Sequence, residues 1–281
     1  MDLELLKSKG KQVKLVVFDL DGTLLTSQSK ISKKSKLGIK MLRDKGVKIA
    51  IASGRIFSML KYIYEELDLD DFVISSNGAC IEDLSIKSPI QENFSDPDDS
   101  KKVVEFCVKH HIECNILKRE ASYFQPYSKR ISKFDLYNKH AREKNSEEIK
   151  IVYYDEGIEN YDNIGKLLVF EMDQAKTDMV KKFVDENTNL MYLSSGVGYL
   201  DVCAKDVSKG NAVKKIAEYM NIGLDQVCVF GDYDNDISML EVAGIAVVTA
   251  NGSDNAKAYA DFLTKSNDDD GVFYAINELL I

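Results

Sequence analysis

Apolar residues recur along the chain in two rhythms. Leu15-Val16-Val17-Phe18, Val47-Lys48-Ile49-Ala50-Ile51-Ala52 and Phe72-Val73-Ile74 are short runs rich in β-branched residues, the form taken by strands covered on both faces. Between them, Leu37, Met41 and Leu42, closed by Gly46, and then Met59, Ile63 and Leu67 fall at helical spacing. Strands that alternate with helices predict a parallel sheet built from right-handed crossovers. The alternation returns near the C-terminus with Gln226–Phe230, a helix from about Asp236 to Val242, Ile245–Val248 and a helix from about Ala256 to Phe262.

The intervening stretch differs in composition, holding all three prolines and all three histidines. Its pattern predicts helices at 99–112, 131–143 and 174–187 and strands at 113–118, 149–154 and 165–172. The expected fold class is therefore α/β: a Rossmann-like parallel sheet core flanked by helices, residues 1–85 and 193–281, with an inserted α/β domain at 86–192.

With 281 residues, 44% of them apolar, the chain is long enough for two self-sufficient cores. Thirty-seven basic against 46 acidic residues give a net charge of −9, which argues against a nucleic-acid partner. Five scattered cysteines without C-x-x-C spacing fit a reducing compartment, and no signal-like segment or run of about 18 apolar residues is visible. The expectation is a cytoplasmic protein, monomeric or weakly dimeric, with no membrane partner.

Three polar clusters directly follow predicted strands: Asp19-Leu20-Asp21-Gly22-Thr23, Ser53-Gly54-Arg55 and Gly231-Asp232-Tyr233-Asp234-Asn235-Asp236. In an open parallel sheet the strand carboxyl ends share one edge, so these clusters converge. Asp19 and Asp21, two apart, are expected to face one ligand together before Gly22 turns the chain. With Asp232 and Asp236 they place four acids in one cleft. Close like charges repel by about 4 kcal/mol at an effective dielectric near 20, so a cation is required. Oxygen-only donors favour a hard ion, and a shell shared with water and phosphate favours Mg2+. Lys209 in Ser208-Lys209-Gly210, ahead of an amphipathic helix, supplies a point charge for a phosphoryl group, as do the Ser53 hydroxyl and the Gly54 turn.

These four ordered motifs resemble those of the haloacid dehalogenase superfamily. Asn77-Gly78-Ala79, the long insertion, Ala243-Gly244-Ile245 and Asn267-Asp268-x-Asp270-Gly271 are similar to its Cof-like branch with an α/β (type IIB) cap. The resemblance implies a Mg2+-dependent phosphatase acting on a small phosphorylated metabolite, such as a sugar phosphate or phosphorylated cofactor. It also implies roles. Asp19 is the nucleophile and Asp21 the acid and then the base. Lys209 and Ser53 hold phosphoryl oxygens, and Asn235 adds a contact. Asp19, the Asp21 carbonyl and Asp232 hold the metal, and Asp236 orients Lys209 or a metal-bound water. Tyr233 and Val248-Thr249-Ala250-Asn251-Gly252 depart from the usual pattern and bear on the pocket near Asn251.

Other readings weigh less. Ile237 and Ala243 stand where an EF-hand needs Gly and Glu. Cys107, His110 or His111, and Cys114 would align as a zinc face only on an uninterrupted helix, whereas Ile112, Cys114 and Ile116 alternate like a strand. Ser53 lacks the context of a serine-hydrolase elbow. Arg55 and Asn77 stand equally as substrate contacts or as a surface ion pair and a turn former, with Lys166 behind them. A phosphosugar mutase and a non-hydrolytic phosphoacceptor signalling protein remain the alternative functions.

Overall fold

The computed structural model describes residues 2–119 and 121–281. The chain opens with helix α1 (Leu3–Gly10) and then winds β1 (Leu15–Asp19), α2 (Lys33–Asp44), β2 (Lys48–Ala52), α3 (Lys61–Glu66) and β3 (Phe72–Ser75), followed by a hairpin of β4 (Cys80–Asp83) and β5 (Ser88–Glu92). Next come α4 (Pro97–Lys109), β6 (Glu113–Lys118), β7 (Ala121–Phe124), α5 (Ile131–Glu143), β8 (Lys150–Tyr153), β9 (Ile164–Phe170), α6 (Gln174–Asn187), β10 (Leu190–Gly196) and β11 (Tyr199–Ala204). The last part comprises α7 (Lys209–Tyr219), β12 (Val227–Gly231), α8 (Ile237–Val242), β13 (Ile245–Val248), α9 (Asp254–Lys257), β14 (Phe262–Leu263) and α10 (Gly271–Leu279).

Two sheets result. The larger runs β14-β13-β12-β1-β2-β3-β4-β5, with β14 through β3 parallel and the β4–β5 hairpin antiparallel at the edge. The sheet is thus mixed where a parallel one is expected, because the two turns that follow β3 are too short for a crossover. Its central strands are buried on both faces. Val16, Phe18, Ile49 and Ile51 point to one side, in one cluster with Leu6, Ile39 and Ile276. Leu15, Val17, Ala50 and Ala52 point to the other, with Val213, Ile216 and Met239. The continuous apolar runs in the sequence record this double burial.

The smaller sheet has the order β10-β11-β9-β6-β7-β8. Strand alternation decides its two sides. Leu167, Val169, Leu200 and Val202 pack with Val104, Val180 and Val184 of α4 and α6, so Lys166, Leu168, Tyr199 and Asp201 occupy the opposite face. That face looks onto the carboxyl edge of the larger sheet, and α5 lies beside it with Phe134 and Tyr137 in the same apolar cluster as Leu168.

Sheet membership moves the expected boundaries. A division at 85/86 cuts the β4–β5 hairpin, and one at 192/193 cuts β10, both held by antiparallel pairing. The chain between β5 and α7 carries the whole smaller sheet. Phe262 is not the end of a helix: Phe262 and Leu263 pair in parallel with Val247 and Val248, and the helix is confined to Asp254–Lys257. The helix before Cys114 ends at Lys109, and His111 adopts a left-handed φ of 53°, so Cys107 and Cys114 belong to different elements and pack in one apolar cluster. Among the described residues no helix is long and apolar enough to cross a membrane.

Candidate active site

Parallel pairing aligns the ends of β1, β2, β3 and β12 on one edge, with Asp19 opposite Ala52 and Phe230 beside Phe18. Residues far apart in sequence therefore surround one cleft of about 530 Å3, lined by Asp19, Asp21, Ser53, Arg55, Asp232 and Asn235 from the larger sheet's loops. Lys209 closes its floor. Ser208 caps the N-terminus of α7 by accepting from Asn211 N at 3.1 Å. The next residue, Lys209, is completely buried and donates at 2.5 Å to both Asp19 Oδ1 and Asp236 Oδ1.

A fully buried ammonium is tolerated only when opposite charge replaces its hydration, and two carboxylates do so here. Burial alone pulls the Lys209 pKa down, but Asp19 and Asp236 outweigh it and hold the ammonium charged. Glycine makes the approach of α7 possible, since a Cβ at Gly210 would stand 2.1 Å from the Ser238 carbonyl oxygen.

The acids divide into distinct jobs. Asp236 has both oxygens engaged: Oδ1 accepts from Lys209, and Oδ2 from the backbone N–H groups of Asp232 and Tyr233 at 2.8 and 3.1 Å. This favours the lysine-orienting role for Asp236 over direct metal ligation. Asp232 accepts from the Thr23 hydroxyl at 2.9 Å on Oδ1, leaving Oδ2 without a hydrogen-bond donor among the described residues. Gly22, at φ +91°, lets the chain pass so close that a Cβ there would lie 2.3 Å from that Oδ2.

Carboxylate oxygens of Asp19, Asp232 and Asp236 all lie within 4.8 Å of one another. Burial first, and then the charges of Asp236 and Asp232, push the Asp19 pKa well above its ordinary value despite Lys209. Burial and Asp236 likewise push Asp232 up to about 7. Three buried acids share one lysine, so the cluster is short of positive charge. All-oxygen donors in this arrangement fit a hard divalent cation.

Asp21 and Asp19 both line the cleft, yet their carboxylates have separate partners. The strand ends at Asp19, and beyond it the Asp21 side chain turns outward, 58% exposed, to accept from Arg55 Nε at 2.9 Å and Nη2 at 2.6 Å. Burial raises its pKa, but the Arg55 charge and hydrogen bonds more than offset this and hold the carboxyl below its ordinary value. The surface-pair reading of Arg55 thus finds its acid inside the cleft. Ser53 is buried, and its Oγ accepts from Arg55 N at 3.2 Å.

Asn77 adopts φ 59° and donates to Asp201 at 2.7 Å, while Asn235 donates to Asn77 Oδ1 at 3.2 Å. Lys166 donates to the same Asp201 oxygen at 2.8 Å. This network joins the smaller sheet to the larger across the cleft. Sequence reasoning misses Asp201, because a carboxylate inside an apolar strand has no motif. The only available signal is its alternation with Leu200 and Val202. Asn251 leaves the cleft and supports its loop instead, donating to the Gly22 carbonyl at 2.8 Å.

A model of the haloacid dehalogenase-like hydrolases matches residues 16–276, and the chain belongs to that family. Within it the chain is a phosphatase of the Cof-like type, acting on phosphorylated substrates. It is 28% identical over 284 residues to a 5-amino-6-(5-phospho-D-ribitylamino)uracil phosphatase of Bacillus subtilis, covering 95% of this chain and 98% of the relative. It is 30% identical to a putative phosphatase of Buchnera aphidicola, over 95% and 97% of the two chains. Among solved structures, a haloacid dehalogenase-like hydrolase of B. subtilis superposes with a TM-score of 0.82 at 25% identity, over 95% of this chain and 100% of that one. A subclass IIB sugar phosphatase shares the fold with a TM-score of 0.78 at 24% identity, over 94% and 98%.

Proposed function

We propose that the protein hydrolyses small phosphomonoesters with Mg2+ through an aspartyl-phosphate on Asp19. The observation that carries this reading is the buried Lys209 bridging Asp19 and Asp236 beside Asp232. A phosphoryl group seated on Ser53 and Lys209 would meet the Asp19 carboxylate from one side and its own leaving group from the other. Asp19 attacks phosphorus, the bond to the leaving oxygen breaks, and Asp21 supplies the proton that oxygen needs. Water then attacks the aspartyl-phosphate, Asp21 takes its proton, and orthophosphate leaves Asp19 free.

Arg55 holds Asp21 ionised in the resting cleft, so proton delivery requires that pair to open when substrate arrives. Lys209 keeps its charge through both steps and stabilises the equatorial oxygens as charge spreads over them. Asn235 contacts the phosphoryl group, with Gly54 offering its backbone. Asp19, the Asp21 carbonyl and Asp232 would hold the Mg2+, which supplies electrostatic screening between nucleophile and substrate. The segment carrying the smaller sheet acts as a cap that limits access to small esters and excludes water.

Replacing Asp19 with Asn and assaying phosphomonoesters with and without Mg2+ tests the assignment. Loss of at least 1,000-fold in kcat, on the scale found for essential nucleophiles, together with a phosphoryl adduct trapped on wild-type Asp19 and seen by mass spectrometry, is expected. Hydrolysis that survived the substitution would remove Asp19 from the mechanism.

A further inference from the structure

The cleft has two ends. Three cations of the cleft have carboxylate partners: Lys209 has Asp19 and Asp236 and Arg55 has Asp21 on the larger sheet's side, and Lys166 has Asp201 on the cap sheet. The α5 end of the cap is different. Arg130, just ahead of α5, and Lys133, in the first turn of that helix, line the same cleft. Among the described residues neither is ion-paired with a carboxylate. The Arg130 guanidinium lies over the Tyr199 ring, 4.5 Å from its centroid, and Nη1 donates to Tyr199 Oη at 2.6 Å. Lys133 Nζ stands 5.7 Å from the same centroid. Tyr199 in turn packs against Phe170, with ring centroids 4.9 Å apart and the planes tilted by 34°, so the aromatic pair fixes where the cations sit.

Two cations without a carboxylate ion pair stand side by side on one aromatic platform, with only the longer-range charge of Asp21 acting on Lys133, in a protein with a net charge of −9 and 46 acids available. In the Arg130 fork Nε is buried and Nη1 donates to Tyr199, so Nη2 carries the donors left for an anion, with the Lys133 ammonium beside it. The transferring phosphoryl group already has its own seat on Lys209 and Ser53 at the floor. We propose that the physiological leaving group carries a second anionic group, a carboxylate or a phosphate, which Arg130 and Lys133 bind. This inference rests on the phosphatase reading above and adds to it the chemical class of the substrate: a phosphomonoester with an anion at its far end.

Steady-state kinetics on matched esters test it. Glycerol 3-phosphate provides the neutral leaving group, 3-phosphoglycerate adds a carboxylate, and fructose 1,6-bisphosphate against fructose 6-phosphate adds a phosphate. The expected result is a kcat/KM at least tenfold higher for one or both two-anion esters, carried by KM, with the better of the two identifying the anion. In the Arg130→Gln and Lys133→Gln variants, checked for an unchanged melting temperature, that ratio falls at least tenfold, and Arg130→Lys restores part of it. Should the glutamine variants fail to fold, the same ratio is read from the wild type as ionic strength is raised, which screens the second anion preferentially. Equal hydrolysis of the neutral and charged esters by the wild type, or an equal loss on both in the variants, overturns the proposal while leaving the phosphatase reading intact. No hydrolysis of any of the four esters, with no phosphoryl adduct on Asp19, overturns the Asp19 phosphomonoester reading instead.

Discussion

Asp232 shows what a single side chain does when its environment is arranged for a partner ion. With its pKa raised to about 7 from 3.8, the folded protein without metal binds a proton that the unfolded chain has released. Stability therefore falls as pH rises from about 4 to 7 through this group, the sense required when the native state binds the extra proton. Asp232→Asn should raise the melting temperature of the metal-free protein at pH 8 by roughly 2–4 °C, while Mg2+ should no longer raise it. In the wild type, Mg2+ affinity should climb as pH passes through about 7, read by titration calorimetry, because the raised acids must release protons to bind it.

Asp21 is displaced in the other direction. Arg55→Gln removes the largest of the influences that lower the Asp21 pKa, leaving only the charges of Lys209 and Lys133 against burial, so that pKa rises and the alkaline limb of the kcat/KM profile, which reports the free enzyme, should move to higher pH. An unshifted limb in a pH–rate series would take Arg55 out of this role.

At the level of elements, the site depends on how closely α7 approaches its neighbours. Gly210 faces the Ser238 carbonyl in α8, where a methyl group would lie 2.1 Å away. Gly210→Ala must push α7 outward and carry Lys209 with it. A loss of about 2 kcal/mol in denaturant unfolding is expected, with a larger relative loss of activity because Lys209 sits one residue away. The same proximity explains why Ser208-Lys209-Gly210 is legible as a motif: the cap, the charge and the close contact all fall within three consecutive residues. The β10–β11 hairpin has no such marker. Its register shifts between Ser194 and Gly196, just before the tip, and its inward residues mix Asp201 with Cys203, so neither period stands out.

For the molecule as a whole, the contact between the two sheets is polar where it crosses the cleft. Lys166 and Asp201, both almost fully buried, link to Asn77 and Asn235 from the larger sheet's loops. Removing one partner leaves a buried charge unopposed, so Asp201→Ala should cost about 3–5 kcal/mol. The double variant Lys166→Met/Asp201→Leu should recover most of that loss in thermal unfolding while lowering activity, since the tie to Asn77 is gone. Beyond that network the contact is also partly polar: Tyr137 donates to the Ser58 carbonyl at 2.6 Å, Lys61 pairs with Glu147 at 3.1 Å, and Lys144 and Arg119 pair with Glu66 and Glu82.

Local chemistry made much of this protein readable from its residues in order. Buried parallel strands must be apolar throughout and polar loops must follow their carboxyl ends, so composition and spacing pointed to the strands and to the convergence of Asp19, Ser53 and Asp232 on one edge, with Lys209 reaching them from the start of α7. Only the folded chain decided which acid serves which cation: Lys209 with Asp19 and Asp236, Arg55 with Asp21, Lys166 with Asp201. Ion pairing depends on distances of a few ångströms between residues up to 190 positions apart, and a linear pattern carries no information about that separation. The cap boundaries escaped for the same reason, because a strand joins a sheet through hydrogen bonds to partners elsewhere in the chain, which its own residues do not specify.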